Sequence, residues 1–96
     1  MLIAKVEGSA VATLKHELLK TSKLLVVRRT DAQGDAGGEP FLALDLVGAG
    51  EGELVVVTQG SSARTATGHN ASPVDAAIIA ILDSLQVEGK TVFRKG

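Results

Sequence analysis

Alternating apolar and polar side chains at the start of the chain predict a β-strand. Leu2, Ala4 and Val6 fall on one face of an extended segment, and the residues between them fall on the other. Gly8 follows where a bulge would bend the strand, and we expect residues 11–13 to continue it.

Three further apolar runs predict strands in the middle of the chain. Residues 24–29 are apolar on both faces before a charged end, which indicates burial on both sides. Residues 41–47 place three leucines at alternate positions, with Asp45 on the opposite face. Residues 54–58 form a nearly continuous apolar run.

The pattern changes period near residue 72 and predicts a helix there. Ser72 is a favourable N-cap, Pro73 suits the first helical position, and Asp75 favours the positive end of the helix dipole. Four apolar residues then follow at helical spacing: Val74, Ile78, Ile81 and Leu82. We expect this helix to end before Gly89 and residues 90–94 to form a fifth strand.

The remaining segments read as connections. Residues 14–20 have the spacing of one or two helical turns, whereas residues 30–40 and 61–72 are rich in glycine and small polar residues and are interpreted as variable loops. Five strands and one helix in 96 residues predict a mostly β fold. We expect a small OB-like five-stranded β-barrel that forms a single domain over residues 1–96.

The composition indicates self-association. Hydrophobic residues make up 45% of the chain, yet a domain of this size buries only about 60% of the surface that its unfolded chain exposes. The excess apolar surface is most simply covered by further copies of the chain.

Charge and aromatic content disfavour nucleic acid and membranes as partners. The formal net charge is -1, which gives no basic surface for a phosphate backbone or an anionic membrane. Phe41 and Phe93 are the sole aromatic residues, too few for the stacking platform of a single-strand binder. No apolar run approaches the roughly 18 residues of a membrane span, and the lack of cysteine fits a cytoplasmic location.

A glycine-rich segment at residues 48–53 invites a dinucleotide-binding interpretation, which fails on context. That fingerprint requires a third glycine where Glu53 stands and a helix where the run at 54–58 predicts a strand. The structural interpretation, a tight connection between two strands, is preferred.

The sequence evidence for a catalytic or metal-binding site is also weak. Ser62 follows Gly60 as in a nucleophile elbow, but Arg64 replaces the closing glycine. His16 and His69 lie in separate segments and lack the spacing of a metal site. We therefore expect no enzyme activity, no metal and no cofactor.

The ordered series of short motifs resembles the EutN/CcmL family of bacterial microcompartment shell vertex proteins. The resemblance is most specific at residues 45–53, where the sequence has the pattern Asp45-x-Val47-Gly48-Ala49-Gly50-x-Gly52-Glu53. It is supported, in order along the chain, by residues 5–8, 13–15, 23–27, 60–64, 73–77 and 79–83.

The resemblance implies a structural shell protein in the bacterial cytoplasm. Its subunits would form homopentamers at the vertices of a polyhedral shell, beside the hexameric and trimeric shell proteins of the same microcompartment. An OB-fold binding module for single-stranded nucleic acid or a small ligand is the alternative function.

Charged residues in the family-specific segments are candidates for the subunit interface. We predict that Asp45, Glu53 and Arg64 lie at or near the boundary between subunits, where a charge-assisted pair would fix the register. Small residues in two turns are candidates to line a narrow central opening: Gly48, Ala49, Gly50 and Gly52 in one, and Gly60, Ser61 and Ser62 in the other.

Overall fold

The fold consists of a closed β-barrel and a separate two-stranded hairpin. The computed structural model describes residues 1–12, 23–68 and 74–95. Within them the elements are β1 (Leu2–Ala10), β2 (Lys23–Thr30), β3 (Ala36–Asp45), β4 (Leu54–Gln59), α1 (Gly60–Ala66), β5 (Ala76–Ile81), β6 (Ser84–Val87) and β7 (Lys90–Arg94). The helical turns predicted at 14–20 lie outside the described residues.

Five strands close the barrel in the order β1-β2-β3-β5-β4. All neighbouring pairs are antiparallel except β3 and β5, which pair in parallel over two positions, Leu44 with Ala77 and Asp45 with Ile78. β1 carries a register shift between Val6 and Gly8, at the predicted bulge, which lets one strand serve two neighbours around a tight barrel. The predicted mostly β fold with a five-stranded barrel is confirmed, but its fifth strand is β5, and the strand predicted at 90–94 is β7 of the separate hairpin.

Small and β-branched side chains fill the barrel interior. Alternate residues of each strand point inwards, so that the residues between them form the outer wall. The interior cluster comprises Ala4, Val6, Leu25, Val27, Ala43, Ala49, Val55, Val57, Ala76 and Ile78. The predicted buried face of β1 is thereby confirmed.

The helix predicted from Ser72 to beyond residue 82 is wrong. Residues 76–81 form β5 in the centre of the barrel wall, and residues 84–87 form β6. Ala76 and Ile78 face the interior while Ala77 packs outside, so the run is apolar on both faces because both faces are covered. A short run of this kind has no periodicity that separates a buried strand from a helix.

Three connections also differ from the prediction. The predicted loop at 61–72 contains α1, which one buried residue, Ala63, anchors to the barrel. The predicted loop at 30–40 is shorter, because β3 begins at Ala36. β1 ends at Ala10, and Val11 is fully exposed and does not continue the strand.

Helix α1 covers part of the outer wall. Ala63 packs with Leu44, Val74 and Ala77, and Leu24 lies at the margin of this second cluster. Leu42 on β3 lies beyond this cluster and is 49% exposed among the described residues.

The turn between β2 and β3 is held closely against β4. Asp31 Oδ1 accepts hydrogen bonds from the backbone N–H groups of Gln33 and Asp35 at 2.9 Å each. Gly34 has a φ of +84°, and a Cβ atom there would lie 3.1 Å from Leu54 Cδ1. Leu54 is correspondingly buried.

We expect Gly34→Ala to destabilise the protein more than Gly38→Ala does. Both glycines have a positive φ, at which an alanine costs about 1 kcal/mol. Only Gly34 adds the contact with Leu54, because no atom lies within 4 Å of a Cβ built on Gly38. Urea unfolding of both variants at one protein concentration measures the difference, and an equal loss would contradict the packing of this turn on β4.

Candidate subunit interface

Asp45 shapes the turn between β3 and β4. Its Oδ1 atom accepts hydrogen bonds from the backbone N–H groups of Val47 (3.1 Å), Gly48 (3.0 Å) and Ala49 (3.3 Å), and its Oδ2 accepts a second bond from Ala49 at 3.0 Å. One carboxylate thus satisfies three successive backbone donors. The predicted interface residue has a clear structural role within its own subunit.

Glu53 holds the other end of the same turn. Its Oε1 accepts a hydrogen bond from the Gly50 N–H at 2.6 Å, and its Oε2 forms a salt bridge with Lys95 Nζ at 2.7 Å. The Lys95 backbone N–H donates to the Asp83 carbonyl at 2.7 Å. Glu53 therefore links the turn to the residue that follows the C-terminal hairpin.

Backbone hydrogen bonds fix this turn to β1. The Gly52 N–H donates to the Val6 carbonyl at 2.8 Å, and the Val6 N–H donates to the Glu53 carbonyl at 3.0 Å. Gly48 and Gly52 have φ values of +76° and +86°, in the region where glycine carries no steric cost. Hydrogen bonds therefore hold residues 48–53 in one tight turn. This confirms the prediction of a tight connection between two strands.

Arg64 occupies a different setting from the two carboxylates. It lies on α1 and is half-buried. Among the described residues its guanidinium forms no hydrogen bond and no ion pair, whereas Asp45 and Glu53 are both engaged within the chain. The structure thus places Asp45 and Glu53 at the same turn. Arg64 lies on α1 and takes no part in the hydrogen bonds that those two carboxylates form.

The two turns predicted to line an opening lie at opposite ends of β4. The first precedes Leu54, and the second, Gly60 to Ser62, begins α1 directly after Gln59. A strand of this length spans about 17 Å, so a single narrow constriction accommodates one of the two turns at most. Ala49 is an exception within its group, since it is 3% exposed and packs in the barrel interior.

Three exposed apolar side chains are further candidates for the subunit interface, which the sequence analysis did not identify. Leu42 is 49% exposed on the outer wall of β3, and Leu46 and Val47, just after β3, are 41% and 38% exposed. The three alternating leucines at 42, 44 and 46 were the available signal. Their face lies outside the barrel, while the smaller Ala43 of the opposite face lies inside.

A metal-binding cluster and a membrane-spanning helix are both absent from the described residues. Across residues 1–12, 23–68 and 74–95, acidic and histidine side chains form no group of three that could hold a metal ion. No helix in those ranges has the length and apolar character to cross a membrane. His16 and His69 lie outside the described residues.

The Glu53–Lys95 salt bridge alters the pKa of both groups. The hydrogen bond from Lys95, followed by the bond from the Gly50 N–H, lowers the pKa of Glu53 below its ordinary value of 4.5. The same carboxylate raises the pKa of Lys95 above 10.5. A lowered acidic pKa stabilises the fold above the unfolded-state pKa, and this contribution is lost as the pH falls through the folded-state value.

We expect Lys95→Gln to lower the Tm modestly at neutral pH, because the salt bridge lies at the surface, where water screens it. The deficit relative to wild type should shrink as the pH falls from 4.5 through the lowered folded-state pKa of Glu53, and as it rises from 10.5 through the raised folded-state pKa of Lys95. Thermal unfolding across this range measures it. Lys90→Gln, the same change at the start of β7, is the control, and a deficit independent of pH would contradict the assigned role of the pair.

Comparisons with known proteins agree on one family. The family model described as "Ethanolamine utilisation protein EutN/carboxysome" matches residues 1–83. The bacterial microcompartment shell vertex protein EutN of Salmonella typhimurium is 45% identical over 95 residues, covering 99% of this chain and 96% of that protein. The carboxysome shell vertex protein CcmL of Synechococcus elongatus is also 45% identical over 95 residues, with the same two coverages.

One solved relative is described as pentameric. The GrpN pentameric microcompartment shell protein from Rhodospirillum rubrum superposes with a TM-score of 0.81 at 41% identity, covering 91% of this chain and 99% of that one. The resemblance seen in the sequence motifs is confirmed, because both the family match and the close relatives span most of the barrel. The chain belongs to the EutN/CcmL family.

Proposed function

We propose that this chain forms homopentamers that occupy the vertices of a polyhedral bacterial microcompartment shell. The observation that carries the proposal is the exposed apolar surface at Leu42, Leu46 and Val47 on a barrel that matches pentameric GrpN over 91% of the chain. Side chains of this size and exposure favour contact with another protein. The names of the matched relatives, shell vertex proteins, support a structural role and not a catalytic one.

A closed polyhedral shell requires five-fold units, and the proposed pentamer would be such a unit. A flat layer of hexagonal units cannot close into a polyhedron unless five-fold units are introduced, and a head-to-tail interface that closes after five copies provides such a unit. We therefore propose hexameric and trimeric shell proteins as neighbours of this ring in the shell.

We propose different roles for the three charged residues at the interface. Asp45 and Glu53 hold the turn at 48–53 in one shape through hydrogen bonds within the subunit, and so present a fixed edge to the neighbour. Arg64 is the residue that forms the charge-assisted pair across the boundary, since its guanidinium has no partner among the described residues of its own chain.

A narrow opening on the five-fold axis is part of the proposal. The exposed glycines of the first turn, Gly48, Gly50 and Gly52, and the exposed start of α1 at Gly60, Ser61 and Ser62 are the two candidate linings. Small residues permit close approach of five copies around an axis. The separation of the turns along β4 implies that one of them forms the constriction.

We expect native mass spectrometry of the purified chain to give a five-subunit species. The exposed apolar area on each barrel favours association, and a closed ring has a defined mass with no larger series. A monomer at high concentration, or a dimer, would contradict the proposal.

We expect Arg64→Ala to weaken the ring. A hydrogen bond to a charged group contributes about 1.5–3 kcal/mol, which corresponds to a roughly ten- to hundredfold weaker contact at each interface. Analytical ultracentrifugation over a dilution series measures the effect. Arg29→Ala, the same change at an exposed position on β2, is the control, and equal dissociation curves for both variants and wild type would rule out the pairing role.

A further inference from the structure

Strand β3 has a free edge over most of its length. Within the described residues it pairs with β2 from Ala36 onwards, whereas β5 joins it only at Leu44 and Asp45. The Leu46 N–H donates to the Ile78 carbonyl at 3.3 Å. Because backbone groups alternate between the two edges of a strand, those of the even-numbered residues face the β5 side.

Backbone groups on this edge are placed to pair with an additional strand. Leu42 directs both an N–H and a carbonyl towards the edge, and the described residues provide no strand there to pair with them. Pro40 directs a carbonyl only, since proline has no N–H. An extended segment that donates to these two carbonyls would lengthen the sheet by one strand.

A bulge closes one end of the free edge. The register of β2 and β3 shifts between Arg28 and Thr30, so that residues 37–39 lie opposite a single residue of β2. Arg28 Nη1 donates to the Gly38 carbonyl at 2.6 Å, and its Nε donates to Glu7 Oε1 at 3.0 Å. Arg28 therefore fixes the bulge to β1 and gives this end of the edge one shape.

A groove runs beside the edge. One cavity of about 690 Å³ lies at the turn between β2 and β3, and a smaller one of about 420 Å³ adjoins the start of β5. The two share Phe41 and Gln59, so they are continuous. Leu2 and Phe41 pack against the interior cluster and give the larger cavity an apolar floor. A preformed groove of this size accommodates several side chains.

The charge of the groove favours a basic occupant. Among the described residues that line it, four are acidic and one, Arg29, is basic. The acidic residues are Asp31, Asp35, Glu39 and Asp75. A lysine or arginine side chain combines an apolar stem with a cationic end, which matches an apolar floor beneath an acidic rim.

We propose that this groove binds an extended basic peptide segment of another protein, which adds to the free edge of β3 and places a cationic side chain among the acidic residues. The free backbone edge favours a peptide, because a small organic cation would leave the carbonyls of Pro40 and Leu42 unused. The inference goes beyond the proposed shell role and does not depend on the number of subunits.

A synthetic peptide tests the groove on the assembled wild-type protein. The probe is a fluorescein-labelled peptide of about six alternating valine and lysine residues, the usual length of a strand. Fluorescence anisotropy measures its Kd. We expect the same peptide with methylated backbone nitrogens to bind roughly tenfold more weakly, because it cannot donate to the two carbonyls. A peptide with glutamate in place of lysine should bind more weakly still.

A charge reversal in the groove provides an independent readout. We expect Glu39→Lys to raise the Kd of the valine–lysine peptide several-fold. Glu88→Lys is the matched control, because it makes the same charge change at an exposed residue of the C-terminal hairpin, outside the groove. This control should bind as wild type does.

The outcomes separate this inference from the proposed function. Equal binding of the methylated and unmethylated peptides would overturn the strand pairing, and equal binding by Glu39→Lys and Glu88→Lys would overturn the placement in this groove. Either result on an intact five-subunit species leaves the shell role standing. Selective peptide binding by a monomer would support the groove and contradict the pentamer.

Discussion

Closure of five short strands into a barrel is the constraint on which the rest of this structure depends. A closed sheet satisfies the backbone hydrogen bonds of its strands and leaves no long unpaired edge. It also directs each side chain of a strand either into a small interior or to the outside of the barrel. The interior accepts alanines and valines, with a few larger side chains such as Leu25 and Ile78. The apolar residues of the alternate positions must then be covered from outside.

Cover for the outer wall comes from two sources. Helix α1 uses one small residue, Ala63, to bury Leu44 and Ala77. Leu42 is not part of that cluster and remains 49% exposed. In the proposed ring, a neighbouring copy would cover the apolar surface that this short chain leaves exposed.

The charged residues of the most family-specific segment act first on the subunit itself. Asp45 satisfies three backbone donors and Glu53 satisfies one more while it holds Lys95. An interface built from backbone turns needs those turns to have one shape, because each subunit must present the same edge to the next. Internal hydrogen bonds of this kind are therefore a precondition for accurate assembly even where they do not cross the boundary.

The sequence by itself determined the barrel strands that have a distinct pattern and the turn at 48–53. Alternation in β1, the bulge at Gly8 and the apolar runs of β2 and β4 are local signals that the barrel did not override. The family motifs likewise identified the EutN/CcmL family, because several of them lie in local turns that require particular glycines and carboxylates.

Only the tertiary structure decided the secondary structure of residues 74–87 and which apolar face of each strand points into the barrel. Ala76 to Ile81 satisfies a helical and a buried-strand pattern equally, and it becomes β5 because β3 and β4 offer backbone partners on both sides. The alternating leucines of β3 predict a strand but not which side is the interior. Which face turns inwards depends on side-chain volume. The interior of a five-stranded barrel is small and closely packed, so it accommodates Ala43, and the larger Leu42 lies outside.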